Sequence, residues 1–280
     1  MRNFLNSIGF LTIIKIPDRY CLREGFYRTL TFFPLTGLIV GVFLALAFWV
    51  FNLFLPAILA VVLVVGFEAI ITGGMHYDGL SDVFDGIFSG KTGQGIYRIM
   101  KKSDIGVFGV LAILFSVILR IGFTYYLYIL TEEKILVFYM LLAFMPVFGK
   151  WSMVYILSFY RPVKKQSLSG LFESGNNKRR FIWATTYTVI AFLIFNFLLE
   201  VFFNGSYPFI YKSFVYSFLL AAIPLLKALV IFLLAYLALM VFSRFFTSKI
   251  GGLNGDIVGA TSQIVEISYL AITIILFSFF

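Results

Sequence analysis

Three aspartates lie close together in the segment GGMHYDGLSDVFDG, which covers residues 73–86. Asp78, Asp82 and Asp85 have the spacing i, i+4, i+7, which places them on one stripe of a helix over roughly 10 Å. Like charges in this arrangement repel one another, and one or two divalent cations would offset the repulsion. Carboxylate oxygens are the ligands that Mg²⁺ prefers. We therefore predict a metal site with Asp82 shared between two ligand pairs; the alternative is an ordinary solvated helix face.

The residues around the aspartates suit a phosphate-bearing substrate. Gly73 and Gly74 remove side-chain bulk where phosphates would approach the chain. Glu68 precedes them inside an apolar segment, and a carboxylate at membrane depth is a functional-site candidate. His76, the only histidine, fits a base, a phosphate donor or a structural hydrogen bonder equally well. Together these features indicate metal-assisted chemistry on a phosphate or pyrophosphate.

Three further polar segments carry candidate groups. IMKKSDIGVFG (99–109) contains Lys102 and Ser103, and RPVKKQSLSG (161–170) begins with Arg161. Basic, flexible segments of this kind are typical of phosphate clamps. GGLNGDIVGA (251–260) is a second glycine-rich turn, and it carries one carboxylate, Asp256.

Lys150 lies inside an apolar segment, at a predicted depth similar to that of Glu68 and Glu266. An ion pair or hydrogen-bond network among these three groups would make their burial tolerable. The alternative is that Lys150 snorkels to the lipid headgroups. Arg120 and Lys227 lie deeper, and the sequence assigns them no partners.

The composition indicates an integral membrane protein. Of the 280 residues, 61% are hydrophobic and only 12% are charged, about half the charge that soluble domains carry. Apolar runs of about twenty residues can cross a bilayer as helices, and these runs do not alternate as the strands of a β-barrel do. A single cysteine and a single histidine exclude an internal disulfide and a Cys- or His-rich metal site. A bound metal would therefore have oxygen ligands.

The apolar runs predict an all-α, polytopic bundle of about seven transmembrane helices, forming one membrane-embedded catalytic domain over 1–280. The N-terminal segment predicts an interfacial helix over 3–16. The long polar loops, 75–106, 159–180 and 243–261, are all expected on one face of the membrane. The predicted spans are 33–55, 57–74, 107–130, 135–158, 181–203, 214–242 and 262–280, of which the second is short enough to be partly re-entrant.

Positive charge is distributed unequally between the two predicted faces. Most of the 22 Lys and Arg residues fall before the first span or in the three long loops. The positive-inside rule then places the N-terminus and the active-site loops in the cytoplasm and the C-terminus outside. Because the basic residues are divided among short loops, we do not expect nucleic-acid binding. The sequence does not specify an oligomeric state.

Five segments, in chain order, resemble motifs of the cobalamin synthase family. TGGMHYDGLSDVFDG (72–86) is similar to the signature T-G-G-x-H-x-D-G-L-x-D-x-x-D. GGLNGDIVGA (251–260) is similar to the C-terminal G-G-x-x-G-D-x-x-G-A. The other three are FLTIIKIP (10–17), FFPLTGLIVG (32–41) and KWSM (150–153), so the resemblance covers nearly the whole chain.

The resemblance implies an enzyme of the cell inner membrane that performs the last joining step of cobamide (vitamin B12) assembly, an adenosylcobinamide-GDP ribazoletransferase activity. In that reaction, cobinamide phosphate passes from adenosylcobinamide-GDP to α-ribazole or its 5′-phosphate, GMP leaves, and Mg²⁺ is required. Carried over to this chain, Asp78, Asp82 and Asp85 hold Mg²⁺ on the pyrophosphate, while Asp256 completes the site or acts as a base. Lys102 and Arg161 hold the GMP phosphates.

These expectations define two sets of candidate residues. The predicted catalytic residues are Asp82, Asp256 and His76. The predicted substrate-binding residues are Glu68, Gly73, Gly74, Lys102, Ser103, Lys150, Arg161 and Asp256.

Two other functions remain open. CDP-alcohol phosphotransferases also cluster aspartates around D-G at a cytoplasmic span end, but they need A-R three residues later and a second Asp pair, and this chain has neither. An ion-coupled transporter would use the intramembrane charges as a pathway. Polar loops gathered on one face and the lack of an internal repeat suit a membrane enzyme better. The charges that a transporter would use are Glu68, Arg120, Lys150 and Lys227.

Overall fold

A computed structural model confirms the predicted all-α bundle. It describes residues 1–22, 24–102, 104–163, 168–173, 177–204 and 214–279. Within this part of the chain, the only β-structure is an isolated bridge between Pro162 and Leu253. The α-helices are α1 (Arg2–Leu11), α2 (Phe33–Asn52), α3 (Ala57–Ile71), α4 (Met75–Phe88), α5 (Gln94–Met100), α6 (Val107–Leu130), α7 (Ile135–Phe159), α8 (Asn177–Asn204), α9 (Phe214–Ile250) and α10 (Gly255–Phe279).

The number of membrane-crossing helices agrees with the prediction of about seven. Six helices of the described chain, α2 and α6 to α10, are long and apolar enough to cross a bilayer. The pair α3 and α4 adds a seventh crossing if it is counted as one broken span, because the two helices meet at a bend of 88°.

The bend between α3 and α4 occurs at two glycines. The predicted second span, 57–74, ends at Ile71, and Gly73 and Gly74 follow with φ values of 64° and 68°. Only glycine adopts this left-handed conformation without strain. The amides of Gly73 and Gly74 donate to the carbonyls of Ile70 and Ala69, at 3.0 and 2.8 Å. These bonds close the end of α3 and allow α4 to start in a new direction.

Several element bounds differ from the predictions, and α10 begins at Gly255 rather than at residue 262. Helix α1 ends at Leu11 rather than at residue 16, because Thr12 is already extended, with φ −140° and ψ 165°. The predicted loop 75–106 contains α4 and α5, and α9 continues to Ile250, well into the predicted loop 243–261. These polar segments are helical because they pack against the bundle rather than extend into solvent.

Helix α7 is the core of the bundle. It is buried along almost its entire length and packs against α2, α8 and α10. Close approach of α2 depends on missing side chains: a Cβ atom on Gly41 would lie 1.9 Å from the Ala143 carbonyl oxygen, and one on Gly37 would lie 2.6 Å from that of Pro146. Small residues are the usual means by which membrane helices pack closely.

The polar connections gather at one end of the bundle, which we call the loop end. The amide of Ile13 donates to the carbonyl of Ile71, at 2.9 Å, so the N-terminal segment lies beside the α3–α4 turn. The ring of Phe10 lies 5.2 Å from that of Phe172, in the segment after α7. This segment is joined to the α9–α10 connection by the Pro162–Leu253 bridge. The loop end therefore unites segments that are distant in sequence.

Candidate active site

Helix α4 carries the three predicted metal ligands. It begins after Gly74 and is amphipathic: His76, Tyr77, Leu80, Ser81 and Val83 are buried. On the other side Asp78 is exposed, and Asp82 and Asp85 are half-buried. The three aspartates therefore lie on a single helix, as their spacing predicts.

Asp256 belongs to the same group of charges. The carboxylate of Asp82 interacts electrostatically with those of Asp256, Asp78 and Asp85. The helices can approach this closely because a Cβ atom on Gly79 would lie 2.7 Å from the carbonyl oxygen of Asp256. A glycine on α4 thus brings the first turn of α10 against the acidic stripe.

Local hydrogen bonds orient the start of α10. The side chain of Asn254 accepts a hydrogen bond from the Ile257 amide, at 2.9 Å, which caps the helix. Its amide group also donates to Asp256 Oδ2, at 2.8 Å. The Lys101 ammonium interacts electrostatically with the Asp256 carboxylate. The basic residue that interacts with the acidic group is therefore Lys101 rather than the predicted Lys102, although both side chains are exposed. The predicted Ser103 lies outside the described residues.

Asp85 has a different environment from the other aspartates. Its two carboxylate oxygens accept hydrogen bonds from the amides of Gly106 and Gly109, at 2.7 and 2.8 Å. These amides belong to the start of α6, where unpaired N–H groups and the helix dipole favour a negative charge. Asp85 therefore ties α4 to α6. Both of its carboxylate oxygens already have protein partners. Its metal role remains a prediction.

The carboxylates are not gathered into a ready-made metal cage. Among the described residues, no three His, Cys, Asp or Glu side chains converge at the spacing of a metal site. The chemistry of the group nevertheless fits a hard divalent cation, because its donors are carboxylate oxygens whose charges act on one another. A cation would offset this repulsion.

Beneath the acidic group, four buried side chains form a charge-neutral network that we call the tetrad: Glu68, Arg120, Lys150 and Glu266. Arg120 Nη1 lies 2.5 Å from Glu68 Oε2, and Arg120 Nη2 pairs with Glu266 Oε2. Lys150 Nζ lies 3.2 Å from Glu266 Oε1. All four residues are at most 2% exposed. The tetrad joins α3, α6, α7 and α10 through opposite charges.

The tetrad decides between the two interpretations of Lys150. The predicted ion pair with Glu266 is confirmed, and the snorkelling alternative is wrong because the Lys150 side chain is buried. Sequence analysis gave Arg120 no partner, yet it bridges Glu68 and Glu266. The available signal was that Glu68 and Glu266, buried in apolar helices, need cationic partners, but the sequence does not say which of Arg120, Lys150 and Lys227 supply them. Glu68 and Lys150 are thus engaged with protein, and their predicted substrate-binding roles remain predictions.

His76 lies between the acidic stripe and the tetrad. It is fully buried and interacts electrostatically with Lys150, Glu266 and Arg120. Neither of its ring nitrogens has a hydrogen-bond partner among the described residues, and the same holds for the Tyr77 hydroxyl, the Ser81 hydroxyl and Arg120 Nε. Buried polar atoms in native proteins are paired with protein, water or ligand. These buried side chains therefore offer hydrogen-bond donors and acceptors below the aspartates.

The remaining predicted residues occupy two other places. The amides of Gly73 and Gly74 are used in closing α3, so these glycines shape the turn and do not present free N–H groups to a phosphate. Arg161 lines a separate cavity at the loop end together with Arg244. The described contacts of the acidic group do not include Arg161.

Comparisons with known proteins agree on one family. The profile of the family described as cobalamin-5-phosphate synthase matches residues 3–274. Curated relatives named adenosylcobinamide-GDP ribazoletransferase include one from Clostridioides difficile, 29% identical over 100% of both chains. Another, from Alkaliphilus metalliredigens, is 30% identical over 96% of this chain and 94% of its own. A third, from Caldanaerobacter subterraneus, is 31% identical over 95% of each. No solved structure matches the chain.

Proposed function

The chain belongs to the cobalamin-5-phosphate synthase family, and we propose that it transfers cobinamide phosphate from adenosylcobinamide-GDP to α-ribazole or its 5′-phosphate. The products are adenosylcobalamin or its 5′-phosphate, and GMP. The observation that carries the proposal is that Gly79 of α4 packs against the backbone of Asp256 of α10, so that Asp256 interacts electrostatically with the aspartates of α4 at the loop end of a membrane bundle. These carboxylates come from two helices that are far apart in sequence.

The acidic group is proposed to hold Mg²⁺ through Asp78 and Asp82, with the Asp256 carboxylate beside them. Bound Mg²⁺ supplies charge neutralisation on a pyrophosphate, which lowers the barrier to nucleophilic displacement. Lys101 adds a positive charge on the same side of the group. Asp85 contributes indirectly, because its bonds to Gly106 and Gly109 hold α4 against α6.

The transfer forms one bond and breaks one. The ribose hydroxyl oxygen of the acceptor bonds to the phosphorus next to cobinamide, and the bond from that phosphorus to the bridging oxygen breaks. GMP leaves with the electron pair, and the hydroxyl proton must be accepted. We assign this role to the Asp256 carboxylate, which Asn254 orients. His76 is proposed to hold a substrate oxygen, because its ring nitrogens face no protein partner in the described chain.

The same proposal places the protein in the cell inner membrane. The chain is a multi-pass membrane protein, and the loop end carries the basic segments that the positive-inside rule assigns to the cytoplasm. A cytoplasmic loop end gives the acidic group access to soluble substrates. The C-terminus is proposed to lie outside, since α10 runs from the loop end to the opposite end of the bundle.

The test is GMP release from adenosylcobinamide-GDP by the purified chain in lipid nanodiscs. We expect GMP and the joined corrinoid product in equal amounts, and only when α-ribazole and Mg²⁺ are both present. CDP-diacylglycerol with an alcohol acceptor serves as the control donor pair. Turnover of the CDP donor without turnover of the corrinoid donor would contradict the proposal and favour a CDP-alcohol phosphotransferase.

A further inference from the structure

A cavity lined by two arginines lies at the loop end, apart from the acidic group. Its volume is about 790 Å³, within the range of small-molecule sites. It forms where the end of α9 meets the segment after α7 and the α9–α10 connection. Its walls include Tyr160, Arg161, Val163, Arg244, Phe245 and Gly252.

The cavity carries positive charge without a matching negative charge. Arg161 and Arg244 line it, and none of its described lining residues is acidic. Every ion pair in the described part of the chain belongs to the tetrad, so neither guanidinium has a carboxylate partner there. The two guanidinium groups give the cavity a net positive charge, which a bound anion would offset. Guanidinium groups match phosphate oxygens in geometry as well as in charge.

The backbone around Arg161 is fixed. The Leu253 amide donates to the Arg161 carbonyl and the Val163 amide donates to the Leu253 carbonyl, both at 2.9 Å. A Cβ atom on Gly252 would lie 2.8 Å from Val163 Cγ2, and Gly252 has a φ of 151°. Glycine at position 252 therefore allows the α9–α10 connection to pack against the segment that follows α7. The backbone of this wall of the cavity is therefore held by hydrogen bonds.

Part of the wall is apolar. Val163 is 40% exposed and Phe245 is 42% exposed, although both lie beside the two arginines. An inorganic anion would use only the charged part of this cavity. An organic phosphate ester uses both parts, because its carbon portion covers the apolar surface while its oxygens meet the guanidinium groups.

From these observations we propose that the cavity is a binding site for a phosphate ester, held by the guanidinium groups of Arg161 and Arg244. The described lining of the site does not include the acidic group. A nucleotide ligand here would rest on the proposed function, because Arg161 is predicted to hold the GMP phosphates, whereas a lipid ligand would not depend on the transfer activity. Two sources supply this chemistry: a soluble nucleotide and the headgroup of an anionic lipid, for which basic pockets between membrane helices are known sites. The site lies next to the connection that leads to Asp256, so its ligand would contact the same loop.

The experiment measures binding without corrinoid substrate. The full chain is placed in phosphatidylcholine nanodiscs and titrated with labelled GMP; in a second arm, bound phosphatidylglycerol is counted by native mass spectrometry. The variants are Arg161→Gln and Arg244→Gln. Arg179→Gln is the matched control, because Arg179 is an exposed arginine on the first turn of α8 that lines neither the cavity nor the acidic group.

We expect one of the two ligands to bind saturably, and each cavity variant to weaken that binding about tenfold, while Arg179→Gln leaves it unchanged. The arm that responds identifies the source of the phosphate. Equal binding by the wild type and both variants would overturn the proposal, as would an equal loss in the Arg179 variant. Turnover assayed on the same samples reports separately on the proposed transfer reaction.

Discussion

Gly79 on α4 lies directly against the backbone of Asp256 on α10: a Cβ atom at Gly79 would be 2.7 Å from the Asp256 carbonyl oxygen and 3.0 Å from its Cα atom. This contact brings two parts of the sequence, 177 positions apart, into one group of carboxylates. The separation of the two helices at this point therefore sets the geometry of the proposed metal site.

Gly79→Ala is expected to force α4 away from α10 and to displace Asp256 from Asp78 and Asp82. Turnover should fall about 100-fold, since a shift of about 1 Å is enough for such a loss. Gly122→Ala on α6 is the control, because a Cβ there meets no atom within 4 Å. Wild-type turnover in Gly79→Ala would show that the close contact is not required.

Asp85→Asn separates a structural role from a metal role. The amide replaces one oxygen that accepts from Gly106 or Gly109, and one hydrogen bond at the start of α6 is lost. Loss of such a bond costs about 1–3 kcal/mol, so the melting temperature should fall while the Mg²⁺ concentration for half-maximal turnover stays constant. An increased Mg²⁺ requirement with an unchanged melting temperature would instead establish Asp85 as a ligand.

Arg120→Gln tests the tetrad. The change leaves Glu68 without the only cation that pairs with it in the described part of the chain, and it removes one of the two cations that pair with Glu266. Removing one member of a buried ion pair costs about 3–5 kcal/mol, and thermal unfolding in detergent should show a correspondingly large loss of stability. Lys134→Gln, an exposed change in the turn before α7, is the control. Equal melting temperatures for the two variants would count against a structural role for the tetrad.

His76→Phe is expected to lower turnover without lowering stability. The two ring nitrogens have no protein partner in the described chain, and an apolar ring of similar shape avoids burying unpaired polar atoms. The melting temperature should therefore stay the same or rise, while the turnover number falls. A variant that melts earlier but turns over normally would point to a structural role for His76 and against substrate contact.

The sequence predicts the bundle well because the hydropathy that favours insertion into lipid extends over whole helices. The apolar runs locate the long helices, and the i, i+4, i+7 spacing places the three aspartates on α4. The glycine pair before α4 marks the turn, although the 88° bend depends on packing between helices. These features are local, so a single sequence contains them.

The parts that sequence reasoning missed are contacts between distant segments. The bonds from Asp85 to α6 span 21 and 24 residues, and nothing in the α4 motif distinguishes Asp85 from Asp82. Arg120 pairs with residues 52 and 146 positions away. Lys101 rather than Lys102 is the predicted segment's residue that interacts electrostatically with Asp256, and the two adjacent lysines cannot be told apart from the sequence. Only the fold determines which of several similar residues meet.

The central claim is that Asp82, together with Asp78, holds the divalent cation that the transfer requires. The most direct measurement is GMP release from adenosylcobinamide-GDP and α-ribazole as a function of Mg²⁺ concentration, for the wild type and Asp82→Asn, with the exposed Asp18→Asn as control. We predict that Asp82→Asn loses about 100-fold or more of the turnover at limiting Mg²⁺, by analogy with the loss of other preorganised charge-stabilising groups, and that Asp18→Asn behaves as the wild type. Near-normal turnover of Asp82→Asn at limiting Mg²⁺ would contradict the claim.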